Sequence, residues 1–117
     1  MNDSILNTIK QMLGVTQEQT DFDQDILVHI NSVINILHQL GAVKEWITIE
    51  GPTTTWSDLL SDINEYNMIR SYMYLKVRLL FDPPMNGTVI SSMEKMINEL
   101  EWRLAENHND KKEESDE

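Results

Sequence analysis

The sequence predicts an all-α protein: a small bundle of four to five helices with a short β-like excursion between the second and third helices. Three observations support this fold class. Apolar residues recur every three to four positions along most of the chain, which is the period of an amphipathic helix. Only four glycines and three prolines interrupt the pattern. The 117 residues contain no cysteine, and 40% are hydrophobic, so an ordinary apolar core must hold the fold together.

The first two helical patterns have start signals. The first reads SILNTIKQMLG, where Asp3 or Ser4 can cap the start and a glycine suits the left-handed position after the end. The second pattern covers about residues 22–40, and a glycine again follows it. Asp21 and Gln24 have the spacing of a capping box at its start. We therefore expect two amphipathic helices joined by a short polar connection.

Residues 42–56, AVKEWITIEGPTTTW, interrupt the helical period. Their β-branched and aromatic side chains favour extended backbone, and the Gly-Pro pair marks a turn, so a short hairpin or an irregular β-like excursion is predicted. The helical period resumes at WSDLL, where Thr55 and Asp58 have capping-box spacing. Asp62 and Glu65 repeat that spacing, which predicts a short helix leading into a long one. The Pro-Pro pair after FD ends the long helix.

The long helix is apolar around most of its circumference, which predicts burial on more than one side. It is either the central helix of the bundle or a helix that also meets a neighbouring subunit. Lys76 lies within the apolar arc, where an ammonium group needs a carboxylate, a path to water or a partner molecule. Arg78 lies on the narrow polar strip and can reach Asp82 one turn on. A snorkelling lysine and a helix-end arginine are the ordinary interpretations of the two cations.

A last helix is predicted over about residues 88–107. Its apolar residues form a heptad-like stripe, whereas Trp102 lies nearly opposite that stripe among polar residues. Tryptophan is enriched at interface hot spots, so Trp102 is expected to contact another chain or to pack under a loop. We expect residues 1–107 to form one helical domain and the acidic residues 108–117 to be a disordered tail.

The net charge of −11 limits the classes of partner. An acidic surface repels phosphate backbones, so we expect no specific binding to DNA. No window approaches the ~18 consecutive apolar residues of a membrane span, and no secretory leader is visible. These features predict a soluble, intracellular protein that does not bind membranes.

Candidate catalytic chemistry is sparse. Asp25 and His29 lie one turn apart and could be half of a metal site or an acid–base pair, but no second ligand cluster accompanies them. A structural histidine is the favoured interpretation. The sequence contains no GxSxG, P-loop or HExxH motif, and we interpret its methionines as core packing at helical positions instead of a cofactor site. We therefore predict no catalytic residue, no cofactor site and no metal site.

Five stretches of the sequence occur in a characteristic order: ILNTIKQMLG, DFDQDILVHINSVINILHQLG, TTTWSDLL, YLKVRLLFDPP and MINELEWRL. Together they extend from about Ser4 to Leu104, and they resemble the head–tail connector (adaptor) family of long-tailed double-stranded DNA phages. The LKVRLLFDPP stretch followed by the EWRL helix is the most specific part of the resemblance.

The resemblance implies a small α-helical virion protein without enzymatic activity. Members of this family form a ring below the portal, extend the DNA channel and provide the docking surface for stopper or tail completion proteins. The implied partners are the portal protein and a downstream head–tail joining (stopper) protein, with DNA passing through without specific binding. The implied location is the head–tail junction of the virion, and the host cytoplasm during assembly. The isolated subunit is compatible with a monomer.

A ring requires head-to-tail contact between two different patches of each subunit. Candidate interface residues for a neighbouring subunit or partner are Trp102, Lys76, Arg78, Tyr74, Phe81 and Trp46. The outer side of the long helix and the Trp102 face are the first choice, and the excursion around Trp46 is the second.

Two other classes of function stay open from the sequence. A small acidic regulatory or antitoxin-like protein would form a discrete dimer, or a heterodimer with a basic partner, instead of a ring. A minor enzyme built around Asp25 and His29 would lose metal uptake or activity in a His29→Ala variant. A connector would still assemble with that substitution unless the histidine is structural.

Overall fold

The computed structural model describes residues 1–115, and side chains through residue 107. Its described part contains five helices and no strand, which confirms the predicted all-α class. The helices are α1 (Ile5–Leu13), α2 (Asp23–Gln39), α3 (Trp56–Leu59), α4 (Ile63–Phe81) and α5 (Gly87–Ser115). Helix α5 ends at Ser115, later than the predicted end near residue 107. The predicted division of the chain into a domain of residues 1–107 and a tail of residues 108–117 stays a prediction.

Local capping signals explain where most of the helices begin. The Ser4 hydroxyl accepts a hydrogen bond from the N–H of Asn7 at 3.1 Å and caps α1. The Asp58 carboxylate accepts the N–H of Thr55 at 2.9 Å, so the capping box predicted for α3 is confirmed. Asp62 caps α4 by accepting the N–H of Asn64 at 2.8 Å.

The capping box predicted from Asp21 and Gln24 is wrong. Phe22 occupies the N-cap position of α2 and makes no side-chain capping hydrogen bond. Asp21 lies one residue earlier, within a turn closed by the Asp23 N–H and the Thr20 carbonyl at 3.2 Å. Carboxylates in the first turn of α2 remain favourable there because they interact with the positive end of the helix dipole.

The long helix α4 is the central helix, because α1, α2 and α5 all pack against it. Its buried residues occupy several sides of the helix, as the apolar circumference predicted. Helix α5 packs on α4 through a stripe with Met93, Ile97 and Leu104 buried. The largest fully buried apolar and aromatic side chains of the whole described core are Trp56, Tyr72, Ile5, Leu6, Ile9, Ile26, Ile30, Leu37, Ile49, Ile69 and Met73.

The segment between α2 and α3 is irregular and forms no hairpin among the described residues. Two hydrogen bonds to Asn31 of α2 hold its centre: the Asn31 amide donates to the Ile49 carbonyl at 3.0 Å, and the Ile49 N–H donates to the Asn31 side-chain oxygen at 2.8 Å. Ile49 is thereby buried against the core. The end of the segment pairs with the N-terminus through an isolated antiparallel bridge between Thr55 and Ser4.

Residues 1–8 and 54–57 meet in a hydrogen-bonded arrangement that we call the N-terminal junction. The Ile5 N–H donates to the Thr54 carbonyl at 3.0 Å, and the Trp56 N–H donates to the Asp3 carbonyl at 3.1 Å. The Trp56 indole N–H also donates to the Thr8 hydroxyl at 3.1 Å. The junction therefore fixes α1 and α3 to each other while burying a tryptophan.

A buried lysine links α1 to the start of α2. Lys10 is 1% exposed, and its Nζ lies 2.8 Å from Oδ1 of Asp23. The same Nζ donates to the Gln17 carbonyl in the connecting loop at 3.2 Å. The ammonium group is thus compensated from both sides, as a charge removed from water requires.

Candidate interaction surfaces

The exposed charged side chains of residues 1–107 are predominantly acidic. Eleven carboxylate side chains in this range are exposed, against three cationic ones. The exposed cations are Lys44, Lys95 and Arg103. Lys10 is buried against Asp23, and the remaining cations of the range are half-buried. A surface of this kind favours basic or apolar partners over phosphate backbones.

The histidine–aspartate pair of α2 does not form a site. His29 is half-buried and Asp25 is exposed, and no hydrogen bond joins them among the described side chains. Within the described residues, no three His, Cys, Asp or Glu side chains lie together in a way that could hold a metal ion.

No helix in the described part of the chain is long and apolar enough to span a membrane.

The two cations of α4 have different environments. Arg78 donates from Nε to the backbone carbonyl of Asp82 at 2.6 Å, which satisfies a free carbonyl at the helix end and leaves the Asp82 carboxylate out of the contact. Lys76 is half-buried and has no hydrogen bond or ion pair with any side chain described in residues 1–107. The helix-end interpretation therefore accounts for Arg78 and leaves Lys76 unexplained.

Tyr74 and Phe81 are largely used inside the subunit. Both are half-buried and pack at the edge of the core. The Phe81 ring makes an edge contact with Phe22 at the start of α2, with centroids 5.6 Å apart. The Phe22 and Phe81 rings close the end of the bundle where α2 begins and α4 ends.

Exposed apolar side chains surround the turn between α4 and α5. Leu80 is 56% exposed, Met85 is fully exposed and Val89 is exposed as well. We call these three residues the hairpin-end patch. By helical projection Leu80 falls on the apolar arc of α4 and Val89 beside the apolar stripe of α5, but periodicity alone does not show where along a helix its neighbours cover it.

Trp102 lies on the solvent-facing side of α5. It is 65% exposed, and at 100° per residue it projects about 160° from the stripe that packs on α4. Among the described residues its ring contacts no other aromatic ring, and its high exposure shows that no loop of residues 1–107 covers it. Glu106, one turn further on, is exposed too, whereas Glu99 pairs with Arg103 at 2.7 Å.

Trp46 is exposed but already has a partner. It is 67% exposed, and its ring stacks on His38 of α2 with centroids 3.9 Å apart. By helical projection His38 lies on the side of α2 away from its apolar face, so the sequence pattern gives no sign of this contact. Beside this pair lies an open depression of about 620 Å³, lined by residues 41–45 and 57–62 together with Glu65 and Leu104.

A hydrogen bond in the interface between α4 and α5 has the clearest electrostatic effect. The Tyr72 hydroxyl donates to Oε1 of Glu101 at 2.7 Å. Burial raises the pKa of Tyr72, and the neighbouring Glu101 carboxylate raises that pKa further. The phenol therefore stays protonated and holds α5 on α4.

The six predicted interface residues do not converge on one site. At 100° per residue, Tyr74, Arg78 and Phe81 share one strip of α4, and Lys76 lies on a different side with Leu80. The two exposed tryptophans lie on the excursion and on α5. The predicted interface residues therefore lie on several separate surfaces of the described chain.

Comparison with known protein families gives a match that covers most of the chain. A family model described as "Phage connector protein" matches residues 5–111, which is nearly the whole chain and includes all of α1 to α4 and most of α5. No curated protein and no solved structure matches the chain.

Proposed function

The chain belongs to the phage connector protein family, and on that premise we propose that it forms a ring below the portal, extends the DNA channel and provides the docking surface for stopper or tail completion proteins. A structural role at the head–tail junction follows from the family itself. The ring and the docking role are the proposal. The observation that carries it is the family match over residues 5–111.

The acidic surface supports this function. Eleven exposed carboxylates against three exposed cations give the subunit a surface that does not bind DNA phosphates. If part of this surface lines the channel, DNA passes through it without adhering. The portal protein and a downstream stopper protein are the proposed partners, and assembly takes place in the host cytoplasm.

The exposed surfaces supply candidate contacts for a ring. Trp102 and Lys76 are the primary candidates, because one is an exposed aromatic and the other an unpaired cation. Trp46 is the second choice, since His38 already covers part of it. Arg78, Tyr74 and Phe81 are half-buried and would act at the margin of such a contact.

The decisive measurement is the mass of the particle formed with a portal assembly. We expect the isolated protein to stay small, and its mixture with portal rings to give a species heavier by several copies of the 13.6 kDa chain. A monomer in the absence of portal agrees with the proposal, because binding to the portal can drive oligomerisation. A protein that stays monomeric at high concentration and never binds portal assemblies would contradict it.

The acidic surface also fits a second function, a regulatory or antitoxin-like protein that neutralises a basic partner. That protein would form a discrete dimer or a one-to-one complex with its partner. The same mass measurement separates the two functions, because an antitoxin-like protein would not bind to a portal ring in multiple copies.

A further inference from the structure

We propose that Lys76 and Leu80 of α4 bind Trp102 and Glu106 on α5 of a second copy of this chain. The inference rests on the proposed ring, and it identifies the two surfaces that meet between neighbouring subunits. Each copy carries both surfaces, so the contact is head-to-tail and can be repeated from copy to copy.

The first surface lies on the C-terminal half of α4. Lys76 is half-buried without a partner among the described side chains, and Leu80 is 56% exposed. The two residues are one turn apart, which places them about 6 Å apart along the helix and on the same side. A partly desolvated ammonium group beside exposed apolar surface favours a carboxylate and an apolar group supplied from outside.

The second surface lies on the outer side of α5. Trp102 and Glu106 are both exposed, and they are also one turn apart. Glu99, on the preceding turn, is already paired with Arg103. Glu106 has no ion pair among the described side chains, so its carboxylate is available to an external cation.

The two surfaces match in chemistry and in spacing. When α4 of one copy lies antiparallel to α5 of the next, Leu80 faces Trp102 and Lys76 faces Glu106, because both pairs have the same separation of four residues. The apolar contact then excludes water from the ion pair, an arrangement common at interface hot spots. Trp46 is the weaker candidate for this contact, since it stacks on its own His38 at 3.9 Å.

Charge exchange tests the ion pair while leaving Leu80 and Trp102 in place. Variants Lys76→Glu and Glu106→Lys are each mixed with portal assemblies, and the number of subunits bound per portal ring is measured against concentration. We expect each single variant to need roughly tenfold more protein for a complete ring, and the double variant to recover to within about twofold of the wild type. Lys44→Glu is the matched control, because it makes the same charge change on the excursion and should behave as wild type.

Crosslinking tests the apolar contact directly, since the chain has no native cysteine. In portal-bound rings, a Leu80→Cys/Trp102→Cys variant treated with a short bismaleimide should give covalent dimers and larger species on a denaturing gel. Met96 is exposed on a different side of α5, so a Leu80→Cys/Met96→Cys control should give few such species.

The outcomes separate this inference from the proposed function. If the wild-type chain forms rings on the portal and the single charge variants assemble equally well, the inference is overturned and the proposed function stands. A double variant no better than the single variants would also overturn the pairing. A wild-type chain that never forms rings on portal assemblies would overturn both.

Discussion

The N-terminal junction and the helical hairpin formed by α4 and α5 hold their elements together in different ways. We call the second region the α4–α5 hairpin. At the junction, backbone hydrogen bonds link residues 1–8 to residues 54–57, and Trp56 is fully buried with its indole N–H satisfied. In the hairpin, α5 packs on α4 along one stripe and leaves Leu80 and Trp102 exposed. The difference is one of exposure: the junction uses its polar and apolar groups internally, whereas the hairpin leaves large apolar side chains exposed to solvent.

The largest expected effect breaks the junction. Trp56→Ala should lower the free energy of unfolding by about 3–5 kcal/mol, because it removes a fully buried aromatic side chain and leaves a cavity. Trp102→Ala should change it by less than about 0.5 kcal/mol, because that side chain is mostly in solvent. Chemical denaturation of both variants measures the contrast, and equal losses would show that the two regions do not differ as described.

A second, smaller effect concerns the buried ion pair between Lys10 of α1 and Asp23 at the start of α2. Lys10→Met keeps most of the apolar stem but leaves the Asp23 carboxylate without its cation, and we expect a loss of about 2–3 kcal/mol. The figure is below that of a fully buried pair because the Asp23 side chain is 20% exposed. Lys95→Met is the matched control on the exposed surface of α5, and thermal or chemical unfolding should show no measurable change for it.

The smallest expected effect on stability concerns the hydrogen bond between Tyr72 and Glu101, which joins the two helices of the α4–α5 hairpin. Tyr72→Phe removes the hydrogen bond to Glu101 and should cost about 1 kcal/mol at neutral pH. The pKa of Tyr72 is raised in the folded state, so above pH ~10 the unfolded chain releases a proton that the folded chain keeps. This contribution to stability is present below pH ~10 and is lost as pH rises further.

The stability gap between wild type and Tyr72→Phe should therefore narrow as the pH rises above ~10, in denaturation curves measured at several pH values. Tyr74→Phe is the matched control, because it removes a phenol that makes no hydrogen bond among the described residues. A gap that widens with pH would contradict the assigned environment of Tyr72.

The parts of the fold that depend on local chemistry were predictable from the sequence. The starts of α3 and α4 follow from Thr55, Asp58 and Asp62, whose side chains cap helices a few residues away. The same reasoning failed at Asp21, because a turn involving Thr20 places that residue outside the cap position. The family resemblance read from five stretches of sequence was confirmed by the family match.

Interactions between distant elements were the part that sequence patterns did not supply. Helical projection predicted that Trp102 lies opposite the packed stripe of α5, because one helix determines that direction. It gave no sign that His38 stacks on Trp46 or that Lys10 pairs with Asp23, because each partner lies on another element. The clamp between Asn31 and Ile49, which spans 18 positions, likewise has no local pattern.

The N-terminal junction also has a consequence for the rate and order of folding. Its hydrogen bond between Ser57 and Met1 joins residues 56 positions apart, so forming it requires closing a long loop at a cost in chain entropy. The α4–α5 hairpin joins neighbouring helices through the short connection of residues 82–86. Because local contacts form faster than distant ones, we expect the hairpin to form early and the junction to close late. The two helices that we propose to contact a second subunit would then form before the N-terminal junction closes.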